Sequence, residues 1–526
     1  MQAKAASSRL SLFVLAALVA LTIAARLLPG PRTIDDAFIT FRYSRNLVEG
    51  QGFVYNPGVH TLGTTTPLFA LLNAGLSLLT GGQDFPHYAI FWSALADSGT
   101  VICLYLLARK LTGSALFAAL PAALWAVAPM SVTFAVGGME TSVNIWWMAL
   151  ATWLFAGEVS TPRRRDILIG AAAAFGVLTR ADAALWIAPL LLAQWIDRVR
   201  HPLTDSPFER LPWRTWLAGA LIFLPWALFS LAYFGSPIPN SVTAKQFAYL
   251  LEPTAALVRL IQTYATPFQE QETFGALGAM IGALVYLLLS AIGLLFAARR
   301  LPRALPFLLY PWLYLLVFAA ANPLIFRWYM APPLPALITA IALGLWSLLG
   351  PLLTRTGAAR AAGQAAIALV GALWLFTSLN AWTLQPDHGP DRPAPRMAWH
   401  AIELLYQQMG TRLRDDYGVT AQTRVASADI GAIGYFSRAT IVDTVGLVTP
   451  ELTRYYPVDP TLVVEGQNYA IPPALIADTA PEYLVTMEAF VRLGLAREAW
   501  FTEGYALVDS FPADFYGTSM LLYQRR

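Results

Sequence analysis

Residues 10–28 of the chain read LSLFVLAALVALTIAARLL, and after a short break residues 33–67 read TIDDAFITFRYSRNLVEGQGFVYNPGVHTLGTTTP. The first stretch is long enough for one membrane crossing, since a hydrocarbon core about 30 Å thick needs roughly 20 residues of helix. The second stretch is polar and holds two adjacent carboxylates, Asp35 and Asp36, followed by Arg42. The sequence therefore predicts a membrane protein whose first loop outside the bilayer carries paired acids.

The composition extends this interpretation to the whole chain. Of its 526 residues 57% are hydrophobic and only 13% are charged, and the mean hydropathy is +0.53. Soluble proteins are about one-quarter charged, so the composition predicts a polytopic α-helical membrane protein. The net charge of +3 is too small to indicate a nucleic-acid partner. Because Cys103 is the only cysteine, an intramolecular disulfide and a cysteine-based zinc site are excluded.

Apolar runs of sufficient length predict about eleven membrane spans. We interpret the first as a retained signal anchor rather than a cleaved signal peptide, because it is long and lacks a clear small-x-small cleavage site. The shorter run over residues 67–80 is interpreted as a helix lying along the outer membrane surface. The predicted spans are 10–28, 87–108, 114–131, 141–157, 166–180, 183–197, 215–233, 276–297, 305–321, 329–349 and 363–382.

The basic residues predict the orientation, because short cytoplasmic loops are enriched in Lys and Arg. With the N-terminus in the cytoplasm, small basic clusters fall in every second loop, and an odd number of spans places the C-terminus outside. The clusters contain Lys4, Arg9, Arg109, Lys110, Arg163, Arg164, Arg165, Arg198, Arg200, Arg210, Arg214, Arg299, Arg300, Arg303, Arg355 and Arg360. Basic residues on or near the external side need another explanation, and these are Arg42, Arg45, Arg180, Lys245, Arg259 and Arg327.

The composition changes after residue 384. A proline-rich linker containing Pro386, Pro390, Pro393 and Pro395 is followed by a polar stretch with a predicted helix over 396–416. Short β-rich runs follow near 424–428, 439–442, 483–486, 505–508 and 520–523, which is typical of a small α/β domain. We therefore predict a transmembrane catalytic domain over 1–384, with its first external loop at 31–66, and an extracytoplasmic α/β domain over 385–526.

Charged groups at the external ends of predicted spans are the candidates for chemistry. A carboxylate of the Asp35–Asp36 pair can take a proton from a hydroxyl or bind a divalent cation, although an Asp capping the next helix is the simpler alternative. Glu140 is either a binding group or a solvated turn residue. Ionisable residues deep in a membrane line cavities or pair with one another, so Arg180 and Asp182 either face a site or neutralise each other.

Two further external segments carry cations. Asn240 and Lys245 lie in a proline-containing loop that is either a surface turn or a site where the ammonium meets a lipid-linked phosphate. Arg327 is flanked by aromatic residues, which suits either a snorkelling side chain or a phosphate clamp. Asp429 and Asp443 each follow an apolar run, as residues at the carboxyl ends of parallel strands do. Asp429 has the alternative role of a helix cap.

Five segments, in the same order along the chain, together resemble the GT-C class of integral-membrane glycosyltransferases. They are DDAFITFRYSRNLVEGQGFVYNPG at 35–58, GGMETSVN at 137–144, LTRADAALW at 178–186, PNSVTAK at 239–245 and DIGAIGYFSRATIVDTVGL at 429–447. Within that class the sequence is most similar to the actinobacterial enzyme that adds terminal arabinofuranose to cell-wall arabinan, and to its bacterial relatives. The chain departs from the usual pattern at residues 59–62 and at Ala181–Asp182, which bears on the sugar and the acceptor.

The resemblance implies a multi-pass enzyme of the bacterial cytoplasmic (inner) membrane with a polyprenyl-phosphate sugar donor and an extracytoplasmic glycan or glycolipid acceptor. It places the main catalytic role on Asp36 or Asp35. Groups expected to bind substrate are Arg42, Glu140, Arg180, Asp182, Asn240, Lys245, Arg327, Asp429 and Asp443. No cofactor is required, although a divalent cation is possible. Pentofuranose such as arabinofuranose is the favoured sugar and a mannose-type hexose is the alternative.

Two other function classes are compatible with intramembrane charges. A lipid or sugar transporter predicts inverted repeats and broken helix pairs at matching positions in two halves, and the sequence shows no such symmetry. A non-catalytic scaffold leaves the acidic loop unexplained. The mechanistic hypothesis is therefore that Asp36, or else Asp35, assists the acceptor hydroxyl, while Arg180, Lys245 or Arg327 neutralises the departing phosphate.

Overall fold

The computed structural model describes residues 2–157, 161–382 and 400–526. The predicted proline-rich linker and the predicted domain boundary at 384/385 lie outside these residues. Before the second gap the described chain is helical throughout. Its helices are α1 (Gln2–Leu27), α2 (Asp35–Val48), α3 (Pro67–Thr80), α4 (Phe85–Thr112), α5 (Ala115–Val127), α6 (Pro129–Val136), α7 (Thr141–Gly157), α8 (Pro162–Thr179), α9 (Ala184–Arg200), α10 (Trp213–Phe234), α11 (Ser241–Ala248), α12 (Ala255–Ala265), α13 (Glu270–Arg300), α14 (Leu305–Ala321), α15 (Leu334–Leu353) and α16 (Ala358–Asn380).

Each predicted span coincides with a helix, which confirms the polytopic helical fold. By length and apolar composition, seven described helices are able to cross a membrane, or eight if the α5–α6 pair, bent by 44°, is one span. The bend falls at Ala128–Pro129, where proline removes a backbone donor. The helices at three predicted spans, α7, α8 and α9, are only 17 or 18 residues long, and α8 opens with the charged run PRRRD. The number of crossings therefore stays a prediction.

Small residues allow the central helices to approach closely. A Cβ atom on Gly293 of α13 would lie 1.9 Å from the carbonyl oxygen of Ala340, and one on Gly344 of α15 would lie 2.0 Å from that of Leu289. Close backbone contact through small residues is how helices associate where both faces are apolar. The α13–α15 contact thus depends on glycine at both positions.

The C-terminal part is an α/β domain, as predicted, with each predicted strand present. It contains α17 (His400–Asp415), α18 (Gly431–Ser437), α19 (Pro473–Thr479) and α20 (Ala499–Gly504), and the strands β1 (Arg424–Ser427), β2 (Thr440–Asp443), β3 (Tyr483–Met487), β4 (Tyr505–Pro512) and β5 (Ser519–Arg525). The sheet order is β2-β1-β3-β5-β4, in which β1 pairs in parallel with β2 and β3 while β5 pairs antiparallel with β3 and β4. The carboxyl ends of β1 and β2 therefore lie side by side.

Helix α2 joins the two parts of the molecule. Its side chains from Ala37 to Asn46 are buried almost without exception, because α3 packs on one side and α18 of the C-terminal domain packs on the other. Phe38 contacts the rings of Tyr435 and Phe436 at centroid distances of 5.3 and 5.1 Å. The acidic first turn of α2 is thereby held between the membrane helices and the sheet domain.

Candidate active site

A cavity of about 270 Å³ opens beside the first turn of α2. Asp36, Ile39 and Thr40 face it because residues three and four apart share one side of a helix. The other walls come from loops and helix ends that are far apart in the sequence. They include Gly63, Thr64, Thr65, Thr66, Met139, Glu140, Arg180, Ala181, Asp182, Ser241, Lys245, Gln246, Phe318, Pro323, Leu324, Trp328, Tyr329 and Leu447.

Asp36 and Lys245 form an ion pair at the cavity. The Lys245 Nζ atom lies 3.5 Å from Asp36 Oδ2, and the side chains remain 18% and 31% exposed, respectively. The ammonium also lies 4.5 Å from the centroid of the Phe326 ring. Burial lowers the pKa of Lys245, but Asp36, Tyr329 and Asp429 together outweigh it, so that the pKa is raised overall. Lys245 is therefore a cation at neutral pH, and its long contact leaves both groups accessible from the cavity.

Arg180 pairs with two carboxylates. Its Nη1 donates to Glu140 Oε1 at 2.7 Å, while Nε and Nη2 donate to the two oxygens of Asp182 at 2.9 and 2.8 Å. The guanidinium lies 4.9 Å from the centroid of the Tyr329 ring. Pairing of Arg180 with Asp182, one of the two alternatives from the sequence, is thus observed, and Glu140 joins the pair. All three groups line the cavity, and each nitrogen of Arg180 already donates one hydrogen bond to a carboxylate.

Asp35 points away from the cavity toward the C-terminal domain. Its Oδ2 accepts the backbone N–H of Gly431 at 2.8 Å, and its Oδ1 accepts that of Ala432 at 2.7 Å. The side chain is buried, and burial raises the pKa of the carboxyl well above its usual range, with repulsion from Asp429 and Asp36 adding to the effect. Both oxygens bind the first turn of α18 and Asp35 does not line the cavity, so its role as the alternative catalytic group stays a prediction.

Arg42 also binds the C-terminal domain and does not line the cavity, and its role in binding substrate stays a prediction. It is buried, and its guanidinium donates to the carbonyl oxygens of Tyr55 and Gly434 at 2.8 Å each and of Ala439 at 2.6 Å. Its remaining contact is with Asn56 Oδ1 at 3.2 Å. Arg42 therefore ties the loop that follows α2 to α18 and to the turn after it.

Asn240 and Asp443 hold one turn of the C-terminal domain in place. Asn240 Nδ2 donates to the carbonyl oxygens of Gly446 and Leu447. The buried carboxylate of Asp443, at the end of β2, accepts the N–H groups of Val445 and Val448 at 2.9 Å each. Burial raises the pKa of Asp443 to about 6. Neither side chain lines the cavity, although Leu447 of the same turn does, and the predicted binding roles of Asn240 and Asp443 stay predictions.

Asp429 lies behind the ion pair. It follows β1 and accepts a hydrogen bond from the Tyr406 hydroxyl of α17. Burial raises the pKa of Asp429 to about 6, with Tyr406 opposing the shift and the charge of Asp36 adding to it. Arg327 is buried next to Trp328 and Tyr329, which line the cavity, but is itself absent from the lining.

The cavity also has neutral walls, which were not predicted from the sequence. Thr40 and residues 64–66 contribute hydroxyls, and Trp328 and Tyr329 contribute aromatic faces. The run GTTTP next to the acidic loop, and the aromatic residues beside Arg327, are the signals that could have found them. In the described ranges no group of three or more His, Cys, Asp or Glu side chains is placed to hold a metal ion together.

Two family models match parts of the chain. Residues 64–229 match the dolichyl-phosphate-mannose-protein mannosyltransferase family, and residues 397–523 match a domain family of unknown function. The curated proteins contain no match to the sequence. The first match covers the segments that supply the threonine, Glu140 and Arg180 walls of the cavity.

Solved structures give the fold. The Archaeoglobus fulgidus oligosaccharyltransferase, tethered with an acceptor peptide, aligns over 97% of this chain and 74% of its own with a TM-score of 0.55 and 14% identity. ArnT from Cupriavidus metallidurans bound to undecaprenyl phosphate aligns over 97% of both chains with a TM-score of 0.55 and 14% identity. A weaker similarity is to the mycobacterial arabinofuranosyltransferase AftD, with a TM-score of 0.48 and 15% identity over 98% of this chain and 41% of that chain. The chain has the GT-C fold of membrane glycosyltransferases, and the family match over residues 64–229 indicates the same class of enzyme.

Proposed function

We propose that the protein transfers a sugar from a polyprenyl-phosphate donor to a cell-envelope glycan or glycolipid on the external face of the bacterial cytoplasmic membrane. The observation that carries this proposal is the accessible pair of Asp36 and Lys245, a base and a cation 3.5 Å apart at one cavity. In the proposed orientation the N-terminus is cytoplasmic, and the membrane domain over 1–384 presents the cavity to the external domain over 385–526.

The pair divides the reaction between its two members. The acceptor hydroxyl oxygen bonds to the anomeric carbon of the sugar as the bond from that carbon to the phosphate oxygen breaks. The hydroxyl proton passes to the Asp36 carboxylate, which acts as general base. Polyprenyl phosphate leaves with the electron pair of the broken bond, and the Lys245 ammonium stabilises the charge that gathers on its oxygen.

Lys245 is a better phosphate partner than Arg180. A phosphate bound to Arg180 would have to compete with the carboxylates of Glu140 and Asp182. The displaced carboxylates would then be unpaired charges in a mostly buried place, which is energetically costly. We therefore assign to Arg180 the task of holding the turn that carries the cavity wall. Because Arg327 is absent from the cavity lining, we assign the phosphate to Lys245 among the three cations considered from the sequence.

Two sugar classes are proposed. Arabinofuranose or another pentofuranose is favoured by the resemblance of the five sequence segments. A mannose-type hexose is the second candidate, favoured by the family match over residues 64–229. Polyprenyl-phosphoryl arabinofuranose and polyprenyl-phosphoryl mannose, each radiolabelled in the sugar, therefore serve as the two donor probes.

The test measures sugar transfer or release by detergent-purified protein. Asp36→Asn is expected to lower turnover at least about a hundredfold, the usual contribution of a positioned base. Asp205→Asn, at an exposed loop position, is the charge-matched control and is expected to keep full activity. Full turnover in a folded Asp36→Asn variant would contradict the assignment. Release of sugar from neither probe by the unaltered protein would contradict the proposed function.

A further inference from the structure

Four threonines form one wall of the cavity. Thr40 comes from the cavity face of α2, and Thr64, Thr65 and Thr66 come from the segment before α3. We call these four residues the threonine wall. A hydroxyl group carries one proton to donate and two lone pairs to accept, so the wall offers hydrogen bonds of both kinds without a net charge. Nothing in the proposed chemistry of Asp36 and Lys245 uses it.

Three members of the threonine wall are joined to one another. The Thr66 hydroxyl lies 3.0 Å from that of Thr40 and 3.1 Å from that of Thr64, and the Thr66 N–H donates to Thr64 Oγ1 at 3.2 Å. Two hydroxyl–hydroxyl bonds among three hydroxyls use two protons and leave a third to donate. This network keeps the wall rigid and oriented. Thr65, between the two buried neighbours, is partly exposed at the cavity.

The spacing between Asp36 and the threonine wall matches the size of a sugar ring. Thr40 follows Asp36 by four residues on the same helix face, which places it about 6 Å farther along the axis. That is close to the width of one sugar ring. On other sides of the cavity Trp328 and Tyr329 present aromatic rings, which suit the apolar C–H face of a sugar.

We propose that the threonine wall binds the hydroxyl groups of the transferred sugar and so determines which sugar is accepted, with Thr65 as the principal contact. This inference rests on the proposed function and deepens it. Arabinofuranose and mannose each carry several neutral hydroxyls and no charge, and a wall of neutral hydroxyls, with Thr65 beside the linked hydroxyls of the other three threonines, matches that pattern. The phosphate of the donor belongs with Lys245, on the charged side of the cavity.

The wall explains how a site of this kind discriminates. A pocket built to hydrogen-bond a substrate hydroxyl rejects an analogue that lacks it, because the protein group is then left unpaired. Replacing Thr65 by valine keeps its volume and branched shape but removes the hydroxyl. Such a variant should therefore lose affinity for the sugar while keeping affinity for the lipid phosphate.

The experiment compares two ligands on purified full-length protein: polyprenyl phosphate alone, and the same lipid carrying arabinofuranose or mannose. For the unaltered protein the sugar-bearing lipid should bind more tightly. Thr65→Val should weaken binding of that lipid about three- to tenfold, the contribution of one neutral hydrogen bond, and should change binding of polyprenyl phosphate by less than twofold. Thr65→Ser should restore the preference. Thr61→Val, a threonine of the same loop outside the lining, is the matched control.

Each outcome decides between the proposals. Equal weakening of both ligands by Thr65→Val, or no weakening of either, would overturn the role of the threonine wall. Equal binding of the lipid with and without either sugar by the unaltered protein would overturn it too, while leaving phosphate binding at Lys245 intact. Absence of binding to all of these lipids would contradict the proposed function itself.

Discussion

Replacing either of the two neighbouring acids of α2, Asp35 and Asp36, by asparagine should have a different effect on the protein. We expect Asp35→Asn to destabilise the protein and Asp36→Asn to abolish transfer without destabilising it. The two substitutions are chemically identical and fall on adjacent residues, so each is the control for the other.

The magnitudes follow from the contacts. The Asp35 oxygens accept two backbone N–H groups, at 2.8 and 2.7 Å, in a buried place. An asparagine has one carbonyl oxygen and turns its NH₂ group toward the second N–H, which is left unsatisfied at a cost of about 1–3 kcal/mol. Asp36 is 31% exposed and has one ionic contact at 3.5 Å, and pairs of this kind contribute at most about 1 kcal/mol.

The assay combines thermal unfolding in detergent, followed by tryptophan fluorescence, with the sugar-transfer measurement. Asp35→Asn is expected to unfold at a lower temperature and to retain some transfer below its transition. Asp36→Asn is expected to unfold like the unaltered protein and to transfer no sugar. If Asp35→Asn keeps its thermal stability but loses sugar transfer, this reasoning is refuted, and Asp35 rather than the fold is needed for the reaction.

Three further substitutions test the surroundings of the site. Gly434→Ala should destabilise the protein strongly in thermal unfolding, because the new Cβ would lie 2.0 Å from the Tyr55 hydroxyl, whereas Gly504→Ala, with open space around it, should be neutral; equal stability of both would contradict the described packing. Affinity for a sugar donor should fall as the pH rises through about 6, because Asp429 then gains a negative charge near Asp36, whereas the phosphodiester of the donor does not titrate near neutrality. Asp429→Asn should flatten this dependence of affinity on pH. An unchanged dependence in that variant would argue against an influence of Asp429 on the donor site. Arg180→Lys should lower both stability and turnover, since a lysine cannot bridge two carboxylates in the planar fork that arginine provides; normal values of both would show that the double pairing is dispensable.

The sequence was sufficient to predict the helices, the strands and the presence of an acid in the first loop, where the cavity lies. Long apolar runs and short β-rich runs are local signals, and so is a carboxylate pair at the end of a span. The distinction between Asp35 and Asp36 was not local, since it depends on backbone donors at residues 431 and 432 that only the fold brings near. Arg42 resembled a substrate ligand for the same reason, because its carbonyl partners at Gly434 and Ala439 are remote in sequence.

Other parts of the site escaped prediction because they carry no charge. A charged group in an apolar chain is a strong local signal, whereas hydroxyls such as that of Thr65 are common in ordinary loops. The spans at α7, α8 and α9 show a different limit. Their helices are present, but they are only 17, 18 and 17 residues long, and α8 begins with charged residues. Helices of this length and composition are barely long and apolar enough to cross a bilayer.

The loop after the first span reaches the C-terminal domain through main-chain atoms. Tyr55 donates to the carbonyl of Ile430, Arg45 to that of Tyr435, and Asn56 bonds both the N–H and the carbonyl of Ile441, in addition to the contacts of Asp35 and Arg42. A main-chain group is the same whatever side chain it bears. Most side chains of the C-terminal domain can therefore change in evolution without loosening these contacts with α2 and the loop after it. The side chains of the loop have no such freedom.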